Sequence, residues 1–190
     1  MAPFTVVLDA CSLYSRFGRD ALLTTASARV YAPKWSDEIL GEMSRAIIRT
    51  NPSIDPLKIA MLAAQMNAAF PDAEVTGYQS IIAGLTLPDP NDRHVLAAAI
   101  VGQAQQIITW NTKDFPATAL RPFNIEARTP DEFLCDAIDS HEKPVCAKLN
   151  ERIQTFKRPP MTAEDFFDAL ENAGLVDAAN ALRDLIDLFE

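Results

Sequence analysis

The run Phe4-Thr5-Val6-Val7-Leu8-Asp9-Ala10-Cys11-Ser12 decides the fold. Apolar residues fill four of the five positions 4–8, two of them adjacent valines, the pattern of a strand buried on both faces in a parallel sheet. The run then stops on an aspartate followed by small residues. Ligands of open α/β sheets sit beyond the carboxyl ends of the strands, which is where Asp9 falls. A half-buried carboxylate is costly unless it is paired or meets a cation. Taken alone, Asp9 fits two roles equally well, a cap for the next helix or a member of a site.

Outward from this strand the same grammar repeats. The sequence predicts a helix over Asp20 to Ala28 and a second strand over Arg29 to Ala32. Ser36 is placed to cap a strong helix whose first turn holds Asp37 and Glu38, and whose Ile39, Leu40, Met43, Ile47 and Ile48 follow helical spacing. Glu38 and Glu42 stack like charges on one face, which is mildly unfavourable unless a cation lies nearby. From spacing alone, a solvated face with Arg45 and Arg49 as helical partners is the simpler account. Pro56 to Phe70 predicts a helix whose Leu57, Met61, Ala64 and Ala68, with Ile59, Leu62 and Met66, belong to the core. Glu74 to Gln79 reads as irregular or a short strand, and Ser80 to Leu85 as a helical turn or two.

Leu87-Pro88-Asp89-Pro90-Asn91-Asp92-Arg93-His94 leads into the Ala-rich helix that starts near Val95. Three consecutive alanines let another backbone approach closely, which suits a helix packed on a sheet. Capping explains one of Asp89 and Asp92 comfortably and two less well. His94 has no second histidine at metal-ligand spacing and reads as a surface or core residue. A further β-prone run ends in Thr109-Trp110-Asn111-Thr112-Lys113-Asp114, and Ile125 to Arg128 reads as a last strand before Thr129-Pro130-Asp131-Glu132 opens another helix. Strands that repeatedly end in Asp, Asn or Thr and lead into helices mark a parallel α/β sheet with its acids gathered on one edge. Beyond about residue 140 the chain reads as helices at Pro144 to Phe156, near Thr162 to Asn172, and at Val176 to Phe189, with Lys157-Arg158-Pro159-Pro160 as a stiff basic linker. The expected domains are 1–139, α/β, and 140–190, a helical extension.

A chain of 190 residues with 48% hydrophobic composition holds one domain, or one with a small appendage, around a sizeable core. Apolar runs such as residues 95–101 are too short to span a membrane, and nothing has the form of a signal peptide. Three cysteines without a Cys-x-x-Cys pair argue against a disulfide or zinc scaffold and for a reducing, cytoplasmic setting. Residues 1–130 carry 11 Lys and Arg against 12 Asp and Glu, and residues 131–190 carry 6 against 14, so most of the net charge of −9 lies in the last third. A protein so acidic meets a polyanion only through bound cations or a local basic patch.

The chemistry rests on acids from four places: Asp9, Glu42, Asp89 with Asp92, and Asn111 with Asp114. The sequence has no glycine-rich phosphate loop, no G-x-S-x-G, and no recognisable triad around its two histidines. Oxygen-only ligation remains, and it suits Mg²⁺ or Mn²⁺. Two such ions about 3.5–4 Å apart activate a water and stabilise the leaving oxygen of a phosphodiester.

Four blocks, V-V-L-D-A-C-S (6–12), W-S-D-E-I-L-G-E (35–42), L-P-D-P-N-D-R-H-V-L-A-A-A-I (87–100) and I-I-T-W-N-T-K-D-F (107–115), resemble the PIN-domain ribonucleases, and within them the VapC-like toxins of type II toxin–antitoxin modules. The resemblance covers roughly residues 4–135. It implies a Rossmann-like sheet with strand order near 3-2-1-4-5 and a Mg²⁺-dependent endoribonuclease acting on an RNA substrate. It also implies a homodimer and a cognate antitoxin. It aligns Asp9, Glu42 and Asp92 with the family's acids, with Thr109 preceding the fourth position. Here Asn111 stands where many members carry Asp, and Asp114 follows three residues later, so either completes the site. Asp89 matches an extra acid of some members. The implied metal ligands are Asp9, Glu42, Asp92 and Asp114.

Two readings compete with a nuclease. A catalytically weak or inactive PIN-fold protein-binding module accommodates Asn111 and the acidic tail. An aspartyl phosphatase is disfavoured, because Cys11 stands where the D-x-D pattern needs its second aspartate.

Overall fold

The structure is a computed structural model that describes residues 4–189. It divides into two compact units, one formed by the chain up to Tyr14 together with Ala32–Arg128, the other by Ser15–Tyr31 and the chain from Thr129 onward.

The first unit is the expected α/β sheet. Strand β1 (Thr5–Leu8) leads into the short helix α1 (Ala10–Tyr14), and β2 (Ala32–Lys34) into the long helix α3 (Asp37–Thr50). Between β1 and β2 in the sequence runs helix α2 (Arg16–Ser27), which belongs to the second unit. Helices α4 (Pro56–Ala69) and α5 (Arg93–Val101) follow, then β3 (Gln106–Ile108), α6 (Ala117–Leu120) and β4 (Glu126–Arg128). All four strands are parallel, in the order β2-β1-β3-β4. The second strand forms two to three residues later than its apolar signal, because Ala32 and Pro33 sit in register with Thr5 and Val6. The third strand anticipated near Glu74 shrinks to one parallel bridge between Trp35 and Glu74. With that bridge included, the sheet runs in the 3-2-1-4-5 sense.

The central position of β1 explains its composition. Val6, Val7 and Leu8 are fully buried, as are Ile107 and Ile108 of the neighbouring β3. Helix α5 packs on both strands through Ala97, Ala98 and Ala99, none of which retains exposure. Close packing of this kind leaves no room for added methylenes, and forcing them in costs about 1–3 kcal/mol. Ser36 caps α3 as its position suggests, accepting the Ile39 N–H at 3.2 Å.

Helix α4 departs from the expectation. Only Ile59 and Met66 are buried, while Leu57 and Met61 are 71% and 60% exposed. Its sequence is apolar nearly all round, so periodicity could not single out the face that meets α3. The helical turns expected near Ser80 to Leu85 form a 3₁₀ helix at Tyr78–Gly84.

The second unit is all helical: α2, α7 (Pro130–Ser140), α8 (Glu142–Ile153), α9 (Ala163–Asn172) and α10 (Val176–Asp184). Helix α8 starts and stops earlier than the sequence suggests, and the last helix breaks at Leu185 into a 3₁₀ turn, Ile186–Phe189. Thr129 with Glu132 and Thr162 with Asp165 close capping boxes on α7 and α9. Phe166, Phe167 and Leu170 of α9 are fully buried, and Phe167 meets Phe189 edge-on at 5.1 Å. Two short helices that could not bury much alone thus share a core with α2, α7 and α8.

Candidate functional site

Asp9 follows the last residue of β1 and is only 7% exposed. Three donors converge on its carboxylate. The Ala10 N–H donates to Oδ1 at 2.7 Å, and the Thr109 hydroxyl donates to Oδ2 at 2.7 Å. The Cys11 thiol donates to Oδ2 at 3.1 Å. Thr109, wholly buried just past β3, also accepts the Asn111 N–H at 3.1 Å, and Cys11 Sγ accepts the Trp110 N–H at 3.2 Å. The ends of the two central strands are therefore stitched together through Asp9. Burial, and then the Asp9 charge, push the Cys11 thiol up to about 11, so it stays protonated and keeps donating.

Asp9 thus takes the first free N–H of α1 and still has its second oxygen committed to Cys11 and Thr109. The two acids before α5 separate more cleanly. Asp89 is the capping residue, accepting the Asn91 N–H at 2.8 Å, whereas Asp92 makes no capping bond. Burial, then the charges of Asp9, Asp89, Asp114 and Glu42, push the Asp92 carboxyl up to about 6. The predicted acids are therefore close enough to feel one another's charge.

A cavity of about 620 Å³ is lined by Asp9, Cys11, Glu42, Asp92 and Asn111, with Tyr14, Arg45 and Arg49 also on its wall. Asp114 is not among its lining residues; it sits in the 3₁₀ turn Thr112–Asp114, from which its charge reaches Asp92. Asn111 instead faces the cavity.

His94, read from the sequence as a surface or core residue, is a core residue that also touches the acids. It is 3% exposed, its Nε2 lies 3.3 Å from Glu42 Oε1, and its Nδ1 lies 3.8 Å from Glu38 Oε2. Of the two carboxylates, Glu42 is the nearer to the ring. Burial works against the imidazolium, but Glu42, then Glu38 and Asp9, outweigh it and raise the histidine pKa. The stacked Glu38 and Glu42 thus meet an imidazole of α5 whose protonation they favour. The clue was the unfavourable pair itself.

The donor set of Asp9, Glu42, Asp92 and Asn111 is oxygen-rich and crowded with like charge, which suits a hard divalent cation. Among the described residues, however, no three His, Cys, Asp or Glu side chains stand close enough to hold an ion together as they are placed. The fit is one of chemistry and placement.

A sequence profile of the PIN domain matches residues 5–113, which span every lining residue of the cavity. The chain belongs to the PIN-domain family. A second profile, described as the VapC50 C-terminal domain, matches residues 130–184 of this PIN-domain protein. A curated relative from Mycobacterium tuberculosis (strain ATCC 25618 / H37Rv), "Putative ribonuclease VapC50", is 39% identical over 107 residues. That match covers 56% of this chain and 63% of the relative, less than two thirds of its length. No solved structure matches this PIN-domain chain.

Proposed function

We propose that the protein is a Mg²⁺- or Mn²⁺-dependent endoribonuclease, the toxin of a toxin–antitoxin module held in check by a cognate antitoxin protein. The observation that carries this reading is the common cavity of Asp9, Glu42, Asp92 and Asn111, four oxygen-bearing side chains drawn from positions about a hundred residues apart. The PIN-domain match and the name of the relative support it. The three free cysteines favour a reducing, cytoplasmic setting for this activity. Among the described residues no helix is long and apolar enough to cross a membrane.

In this reading Asp9, Glu42 and Asp92 hold the cation, with Asn111 or Asp114 completing the set. Such an ion supplies Lewis acidity for a water nucleophile and offsets charge on the phosphodiester. The chain's own residues do the rest. Ala10, Cys11 and Thr109 hold Asp9 in one orientation. His94 leans on Glu42 and limits the repulsion between that carboxylate and its neighbours. Asn111, neutral and exposed at the rim, offers an amide to orient water or substrate without adding a further negative charge.

The test is cleavage of single-stranded RNA by the full chain with Mg²⁺, with excess chelator, and by Asp9→Asn. Loss of cleavage in the second and third cases, with an unchanged circular dichroism spectrum, supports the proposal. Wild-type cleavage by Asp9→Asn overturns the site. No heat of Mg²⁺ or Mn²⁺ binding and no cleavage by the wild type would leave the protein-binding module as the better account.

A further inference from the structure

We infer that Tyr14, Arg45 and Arg49 form a track that carries a single-stranded RNA away from the acidic end of the cavity. The inference rests on reading that end as the place of cleavage, and it adds which face of the protein grips the strand and what form of RNA it accepts.

Helix α3 lines the cavity with Glu42, Arg45, Ala46, Arg49 and Thr50, an i, i+3, i+4, i+7, i+8 series on one face. Charge therefore changes sign along the wall. Glu42 faces the other acids, and the two arginines follow one and two turns farther on, at about 1.5 Å of rise per residue. A strand whose scissile phosphate lies at the acids meets Arg45 and Arg49 in this direction.

Arg45 and Arg49 are uncommitted. Among the described residues neither has an acidic partner, although the chain holds 26 Asp and Glu. Elsewhere arginines are taken up: Arg152 grips Asp20 with two nitrogens at 2.9 Å, and Arg183 meets Asp168 and Glu171 at 2.7 and 2.9 Å. Two guanidinium groups left unpaired on a concave wall, in a protein of net charge −9, fit an anionic ligand that arrives from outside.

Gly41 points the same way. A glycine inside a helix costs about 0.5–1 kcal/mol relative to alanine. Here a Cβ at position 41 would stand 3.2 Å from Arg45 Nη1. The missing methyl lets the guanidinium fold back over the helix. Ala46, between the arginines on the same face, keeps the floor low.

Tyr14 supplies the third contact. It is 39% exposed on the cavity wall, and its hydroxyl donates to Thr50 Oγ1 at 2.9 Å. Thr50 in turn donates back to the Ala46 and Ile47 carbonyls. A ring anchored at its far end on the cavity wall is one against which a base can pack. Bases reach such a platform only from an unpaired strand, since those of a duplex are stacked on each other.

The experiment uses the full chain in the Asp9→Asn background, so that cleavage does not consume the probe. Fluorescence anisotropy then measures binding of a labelled single-stranded oligoribonucleotide and of its duplex, with Mg²⁺ present, across a series of salt concentrations. Arg45→Ala with Arg49→Ala should weaken single-strand binding at least tenfold. It should also flatten the log K against log[salt] slope by about 0.7 for each phosphate that is no longer neutralised. Arg45→Lys with Arg49→Lys should restore much of the slope, which repair of structure alone does not explain. Tyr14→Ala should weaken binding about tenfold with an unchanged slope, and Tyr14→Phe, which keeps the ring, should bind like Tyr14. Equal slopes for the parent and the double alanine variant overturn the track, as does a duplex bound as tightly as the single strand. Parallel cleavage assays with Asp9 intact separate the two readings. A wild type that binds through the arginines but cuts nothing refutes the nuclease and spares the track. A double alanine variant that cuts at the wild-type kcat/KM refutes the track and spares the nuclease.

Discussion

Replacing Thr109 by valine isolates the hydroxyl that fixes Asp9. The side chain is wholly buried, and valine nearly matches its shape, so the main loss is one hydrogen bond of 2.7 Å to a carboxylate. Hydrogen bonds to charged groups contribute about 1.5–3 kcal/mol, and a buried donor or acceptor left without a partner costs about 1–3 kcal/mol. Water from the cavity can replace the hydroxyl on Asp9, and the exposed Asn111 can turn its N–H to solvent, which places Thr109→Val near the middle of that range, at about 2 kcal/mol. Thr109→Ser keeps the hydroxyl and removes a methyl, a loss of about 1 kcal/mol. Urea unfolding of both variants in metal-free buffer reads these values, and Tm should fall by about 4–8 °C for Thr109→Val. Cleavage by Thr109→Val should drop while Thr109→Ser stays close to wild type. A Thr109→Val protein within about 0.5 kcal/mol of wild type, or a serine variant that suffers more than the valine variant, would refute the argument that this hydroxyl anchors the acid.

Asp131 of α7 accepts the Asp177 and Ala178 N–H groups at the start of α10, at 3.1 and 2.8 Å, so Asp131→Ala should cost about 1–2 kcal/mol in chemical denaturation. Gly41→Ala should raise stability by about 0.5–1 kcal/mol through helix propensity and, by crowding Arg45, weaken single-strand RNA binding in anisotropy. Asp92 gives a pH signature without divalent ions. Its native pKa of about 6 lies above the ordinary aspartate value of 3.8, so between these values the folded state binds more protons than the unfolded one. Stability should therefore rise as pH falls from about 7 towards about 4, and Asp92→Asn should flatten that rise in urea titrations.

Those tests bear most on residues whose roles the sequence states unevenly. Strand β1 was legible because a strand buried on both faces has no polar positions to confuse the pattern, and its abrupt end on Asp9 marks the sheet edge. The alanines of α5 were legible for a related reason: close packing on a sheet excludes bulk. Leu57 and Met61 were misread because an apolar helix carries no information about which face lacks a neighbour. The third strand was weak in sequence and is weaker in space, with Glu74 bridging only Trp35. His94 was hidden differently. Its partners lie on α3, more than fifty residues earlier, and no local period links a residue on one helix to a residue on another. Yet the like-charged pair of Glu38 and Glu42 was visible, and it marks the face that His94 meets.

The acids are held by different means, and the difference bears on how the site works. Asp9 is gripped by three donors from two strand ends, so moving it means disturbing the centre of the sheet. Among the described residues Glu42 has a single neighbour of this kind, His94, with Oε1 3.3 Å from Nε2. Asp92 has no capping bond, and burial together with four other carboxylates raises its pKa. Like charges in one cavity favour separation, and among the described residues no three such donors stand close enough to hold an ion. A divalent cation placed among them would add attractions that outweigh the repulsion between the carboxylates. In the proposed site Asp9 would then be the fixed point, and Glu42 and Asp92, with fewer bonds to hold them, would be the acids that approach it.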